Sequence, residues 1–221
     1  MDIKSFGCSF IFGSELSDDG FGGPYATPSQ LTWPALYAKH LGYGYQCYAR
    51  PGSGNLQIAE RVLSQTANLE PALYIVGWTW IDRFDYANSN NDQWQTIMPI
   101  DETSVAKTYY RDIHSEYRDK LTTLMSMRLV IDILKQKNYP FVMTYMDDLT
   151  FDTQWHTTPA VLELQDYVRP HMTQFEGKSF LEWSRSKGYP ETVKWHPLEE
   201  AHRAAGDYMI KVFDKKNTTA H

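Results

Sequence analysis

The chain has little cysteine, no run of like charge and no long apolar stretch, and each shortage removes a class of protein. It holds only two cysteines, Cys8 and Cys47, with no Cys-x-x-Cys pair. A disulfide framework and a thiolate zinc site are therefore not expected, and a reducing compartment is. The 27 acidic residues against 21 basic give a formal charge of −6, with no basic run. Nucleic acid, whose binding needs a basic stripe, is not an expected partner. No apolar run approaches membrane-spanning length, and a core-like strand begins at once, leaving no room for a signal peptide. The expectation is a cytoplasmic protein with no membrane partner. His114, His156 and His171 lack partner spacing, and His202 does not share a helix face with His196 in the i, i+4 manner of a metal pair, so neither a metal nor a cofactor is predicted.

What the sequence does have is 221 residues, enough for one α/β domain with a sizeable core, and an aromatic content of 14% that includes seven tryptophans. Several of these, among Trp33, Trp78, Trp80, Trp94, Trp155, Trp183 and Trp195, fall in predicted loops, where flat faces suit stacking on sugars or other rings. Strand and helix patterns alternate along the chain. Asp2 to Phe6 reads as a strand, Ser14 to Gln30 as a surface loop, and Pro34 to Leu41 as a helix capped at Thr32 or Trp33 and ended by Gly42. A strand over Tyr43 to Ala49 leads to a glycine turn, and Asn55 can cap the helix that follows. The apolar run 72–77, between Pro71 and Gly77, reads as a strand buried on both faces.

Residues 79–107 are polar and too long for an ordinary connection, with a breaker at Asn88 to Asp92, and read as an insertion covering a site. Tyr110, Ile113, Tyr117, Leu121 and Leu124 form one stripe of a long helix over 108–138. A fourth strand over 140–146 ends in Asp147 and Asp148; shorter helices are expected over 159–169 and 180–187, and a last one from Pro197. The alternation predicts a parallel sheet covered on both faces.

Three glycine turns fall at the carboxyl ends of successive strands, where open α/β sheets bind ligands: Gly7-Cys8-Ser9, Gly52-Ser53-Gly54-Asn55 and Gly77-Trp78-Thr79. The first presents a hydroxyl on Ser9. A serine nucleophile needs a base, and His196, fixed by Pro197 ahead of the last helix, is the best placed. Gly52 or Gly54 can expose a backbone N–H unobstructed, as an oxyanion site requires. After the third strand, Asp82, Arg83 and Asp85 read as a solvated salt-bridged loop, with Arg83 turned into the cleft as the functional alternative.

This arrangement resembles the SGNH (GDSL) hydrolase superfamily. Gly7-Cys8-Ser9 through Gly13 is similar to its first block, with Cys8 in place of an aspartate; Gly52 matches the oxyanion glycine, and Arg61 falls where an arginine is common. Gly77-Trp78-Thr79-Trp80 aligns with Gly-x-Asn-Asp, with Thr79 in place of the asparagine. Val193-Lys194-Trp195-His196-Pro197 aligns with Asp-x-x-His-Pro, with Val193 in place of the acid. The resemblance implies a three-layer α/β/α sandwich on a mostly parallel, flavodoxin-like five-stranded sheet, spanning residues 1–221. It implies an ester hydrolase with Ser9 as nucleophile, His196 as base, and Ser9, Gly52 and Thr79 around the oxyanion. The acid is open: His196 works in a dyad, or Asp147, Asp148 or Glu191 supplies it. Asn55, Trp78, Trp80, Arg83 and Trp195 are the candidate substrate contacts, and a carbohydrate ester is the suggested substrate. Two alternatives stand beside this reading: a carbohydrate- or protein-binding module on the same scaffold with weakened catalysis, and an acyltransferase using the same residues.

Overall fold

The computed structural model describes residues 1–19, 27–67, 70–89 and 93–218, with backbone alone over 214–218. Part of the predicted 14–30 loop and of the 88–92 breaker, residues 20–26 and 90–92, lies outside the described residues. In chain order the elements are β1 (Asp2–Phe6), α1 (Ser9–Phe12), α2 (Trp33–Leu41), β2 (Gly44–Cys47), α3 (Asn55–Ala67), β3 (Ala72–Trp78), β4 (Phe84–Ala87) and β5 (Trp94–Ile97). Then follow α4 (Ser104–Asp112), α5 (Glu116–Gln136), β6 (Phe141–Tyr145), α6 (Pro159–Val168), α7 (Phe180–Ser186) and α8 (Glu199–Thr218).

Four strands pair in parallel in the order β2-β1-β3-β6. Alternate strand residues serve opposite faces, as the pleat demands. Ile3, Leu73, Ile75 and Val142 pack with Trp33, Phe175, Phe180, Ala201 and Met209 from the side of α1, α2, α7 and α8. Phe6, Tyr74, Val76, Trp78 and Met143 pack with Ile58, Val62, Leu124, Met127 and Val161 from α3, α5 and α6. The molecule is an α/β/α sandwich, as its alternating pattern predicted.

The sheet has four parallel strands where five were expected. Beside β6, in the place of a fifth, the chain makes a single parallel bridge, Met143 to Met172, with Thr173 N–H donating to Met143 O at 2.7 Å. A 3₁₀ turn at Arg169–His171 precedes it, and a turn with Glu176 at φ 52° and Gly177 at φ 81° follows. Too few extended residues lie between for a ladder to grow. The 79–107 segment is likewise more ordered than an irregular insertion, since β4 and β5 form an antiparallel hairpin within it.

The predicted long helix is two. Thr103 Oγ1 accepts the Ala106 N–H and starts α4, Ser115 Oγ accepts the Arg118 N–H and starts α5, and Ile113 between them is 67% exposed. The second cap overrides the apolar spacing that ran through it. The last helix begins at Glu199, because Pro197 is held in a bridge to Glu191. Among the described residues no helix is long and apolar enough to cross a membrane.

Candidate active site

Ser9 stands where β1 turns into α1, and close packing of three chain segments sets that turn. A Cβ on Gly7 would lie 2.6 Å from Ile11 Cγ1 and 2.9 Å from Gly77 O, and one on Gly77 would lie 2.6 Å from the same Ile11 atom. Only glycines on the two neighbouring strand ends let α1 fold back this tightly. Ser9 is the first residue of α1, so its N–H has no acceptor within the helix.

His196 arrives from a tight turn on the far side of the sequence. Thr192 N–H donates to His196 O at 3.0 Å, Trp195 N–H donates to Thr192 O at 2.9 Å, and Thr192 Oγ1 accepts the His196 N–H at 3.2 Å. These bonds bring His196 Nε2 to 2.9 Å from Ser9 Oγ. The Phe10 ring meets the imidazole edge to face, with centroids 5.4 Å apart.

The carboxylate on the other imidazole nitrogen is Glu15. Its Oε2 lies 2.6 Å from His196 Nδ1 and accepts the Thr192 hydroxyl at 2.7 Å. A carboxylate only accepts, so Nδ1 carries the proton and Nε2 is left to accept from Ser9. The Thr192 hydrogen bond, and behind it His196, hold the Glu15 carboxyl below the usual range against the opposing effect of partial burial. Glu15, His196 and Ser9 are a carboxylate, an imidazole and a hydroxyl in one hydrogen-bonded chain, the arrangement that nucleophilic catalysis needs.

None of the three expected acids is there. Asp147 accepts the N–H groups of Ile81 and Leu149 at 3.1 and 3.0 Å and so closes the loops after β3 and β6. Asp148 sits against Glu182, and burial followed by that neighbour pushes its carboxyl up to about 6. Glu191 takes both forks of Arg185, at 2.9 and 3.1 Å. Glu15 lies in what reads as a surface loop, with φ at 68°, and no motif marks it.

Thr79 is also displaced from its expected task. Its side chain is fully buried, its N–H donates to Asn55 Oδ1 at 2.8 Å and its carbonyl accepts from Asn55 Nδ2 at 3.1 Å. Asn55, expected at the substrate, is thereby spent as an internal clamp that also reaches Thr123 Oγ1 at 3.1 Å. Trp78 is fully buried in the core on the α3, α5 and α6 side. Gly52 does reach the cleft: its φ is 81°, and a Cβ there would meet nothing within 4 Å.

Ser9 and His196 open into a cavity of about 640 Å³ that Glu15, Gly52, Trp80, Arg83 and Trp195 also line. The Arg83 guanidinium lies 5.0 Å from the Trp80 ring centroid and donates through Nη1 to Ser53 O at 3.0 Å. Its neighbour Asp85, expected in solvent, is buried and caps α3 instead, accepting from Gly54 and Gln57 N–H at 3.0 and 2.9 Å. Among the described residues no group of three His, Cys, Asp or Glu side chains is placed to share a metal ion.

No protein-family model and no curated protein matches the chain. Solved structures do. The psychrotrophic esterase EstA from Pseudoalteromonas sp., in a form inhibited by monoethylphosphonate, aligns with a TM-score of 0.54 over 98% of both chains, at 10% identity. The chain has the SGNH hydrolase fold. The acetyl xylan esterase Est2A from Butyrivibrio proteoclasticus gives 0.54 at 13% identity, over 98% of this chain and 64% of its own. A second acetyl xylan esterase, AlAXEase, gives 0.51 at 10% identity, over 96% of this chain and 99% of its own. At such identities the likeness is one of fold. Where the resemblance places an acid three residues before the histidine this chain has Val193, and the carboxylate at His196 Nδ1 is Glu15.

Proposed function

We propose that this protein is a serine ester hydrolase, with Ser9 as nucleophile, His196 as general base and Glu15 as the acid that orients it. The observation that carries the reading is the hydrogen-bonded chain from Glu15 through His196 to Ser9 at the wall of a large cavity. Ser9 Oγ attacks the ester carbonyl as its proton passes to His196 Nε2, and Glu15 stabilises the imidazolium that forms. The N–H groups of Ser9 and Gly52 are the donors available to the oxyanion; the Thr79 hydroxyl, enclosed in the core, does not assist them. The tetrahedral adduct collapses, His196 returns its proton to the departing alcohol, and water, activated by the same imidazole, releases the acid.

Esterases among the solved neighbours support the reaction class, and two of them are acetyl xylan esterases. The rival reading, a binding module on a weakened scaffold, had two motives, a missing acid and a missing amide donor; Glu15 at His196 Nδ1 answers the first, and the second stands.

Labelling by a fluorophosphonate probe tests the proposal. The native protein is expected to react, and Ser9→Ala and His196→Ala, checked for native folding, are expected to lose labelling and about four orders of magnitude or more of ester turnover. A well-folded native protein that does not label would refute it.

A further inference from the structure

Exposed large hydrophobic residues gather at the mouth of this cleft. Ile100 is 80% exposed, Val193 94% and Trp195 59%, and all three line the cavity that holds Ser9 and His196. They come from two segments far apart in sequence, one following β5 and one running into the catalytic histidine, so their convergence is a product of the fold. Trp195 holds φ at 64°, a conformation that a bulky side chain adopts only when its surroundings impose it. The Thr192 to His196 turn imposes it, keeping an indole at the rim rather than in the core.

We infer that the cleft takes esters with an extended hydrocarbon or aromatic acyl group, in preference to acetyl groups on a sugar. This rests on the hydrolase reading above. A cavity of about 640 Å³ would be left largely empty by an acetyl group. A sugar asks for several polar partners; of those in the lining, Glu15 is engaged by His196 and Thr192 with Lys194 Nζ 3.8 Å away, and Arg83 lies on Trp80 with Nη1 on Ser53 O, which leaves Ser14 and Asp82. An apolar acyl chain asks for none, and its burial against Met98, Ile100 and Trp195 removes apolar surface of both partners from water.

The test is a series of p-nitrophenyl esters from acetate to octanoate, with glucose pentaacetate as the sugar probe. The kcat/KM is expected to rise about three-fold per methylene up to hexanoate, and to exceed that for glucose pentaacetate. Ile100→Ser with Val193→Ser, both solvent-exposed and so tolerable to the fold, should flatten the slope. Ile100→Leu should keep it, and Trp195→Phe should keep more of it than Trp195→Ala. A flat series, a faster sugar acetate, or a slope that ignores the rim variants would overturn the inference. Fluorophosphonate labelling of the same preparations separates the two claims. Labelled protein with no chain-length preference leaves the hydrolase standing and removes this inference; no labelling and no turnover of any ester removes both.

Discussion

Glu15 Oε2 serves two donors at once, the His196 Nδ1–H and the Thr192 hydroxyl, while Thr192 Oγ1 accepts the backbone N–H groups of Lys194 and His196 at 3.2 Å each. Glu15 and the turn that carries His196 are thus tied by one side chain. Glu15→Gln should lower kcat by about a hundred- to ten-thousand-fold, since an amide can present its NH₂ to the imidazole and favour the wrong tautomer. Glu191→Gln, on a carboxylate already paired with Arg185, should stay within about three-fold. Thr192→Val should reduce activity less than Glu15→Gln does, and should change its pH dependence. The Thr192 hydroxyl is the leading cause of the lowered Glu15 pKa. Without it the carboxyl protonates at higher pH, and the acid-side loss of activity should move upward. Thr192→Ser should restore the native profile; a pH–rate profile that does not move in Thr192→Val would deny Thr192 this role.

At the scale of elements, the start of α3 depends on a residue from the hairpin. The N–H groups of Gly54 and Gln57 both end on Asp85, and Thr96 Oγ1 donates to the same carboxylate at 2.5 Å. Gly54 has no Cβ because one would sit 2.5 Å from Asp85 Oδ2. Burial raises the Asp85 pKa, and these hydrogen bonds oppose the rise. Asp85→Ala should cost about 1 to 3 kcal/mol in urea unfolding, through a lost cap and stranded donors, and Asp85→Asn less. Because the turn ahead of α3 also carries Gly52, Asp85→Ala should reduce turnover as well as stability. The hairpin is therefore a brace for the turn that carries Gly52, and the residues flanking it, Arg83 and Met98 among them, line the cleft. An Asp85→Ala protein as stable as the native one would contradict the capping role.

Across the whole molecule, α2 and α8 close one face of the sheet around His202. The ring is buried, its Nδ1 accepts the Trp33 N–H at 3.2 Å, and the Phe180 ring lies 4.9 Å away. Burial pushes its pKa down to about 3; Glu199 opposes the shift and His196 adds to it. The unfolded chain takes up this proton near the ordinary histidine value of 6.5 and the native state does not. Stability from this site is therefore complete above about pH 6.5 and falls as pH drops towards 3, by at most about 1.4 kcal/mol per pH unit. Unfolding midpoints at pH 7 and pH 5 should differ less in His202→Asn, which keeps an acceptor for Trp33, than in the native protein.

The sequence by itself determined the alternation of strands and helices, the buried strand over 72–77, the turn that displays Ser9 and the histidine before the last helix. These are local signals: period, glycine, proline and caps. Tertiary structure decided the rest, because the deciding partners are distant in sequence. Glu15 meets His196 across 181 positions, Asn55 takes the Thr79 backbone across 24 and Asp85 reaches Gly54 across 31. Val193 stands where the resemblance places an acid, and a carboxylate still reaches His196 Nδ1, since it needs only to arrive there, from whichever loop. A hydrogen bond is set by distance and direction in space, and no spacing along the chain reports either before the sheet has brought the loops together.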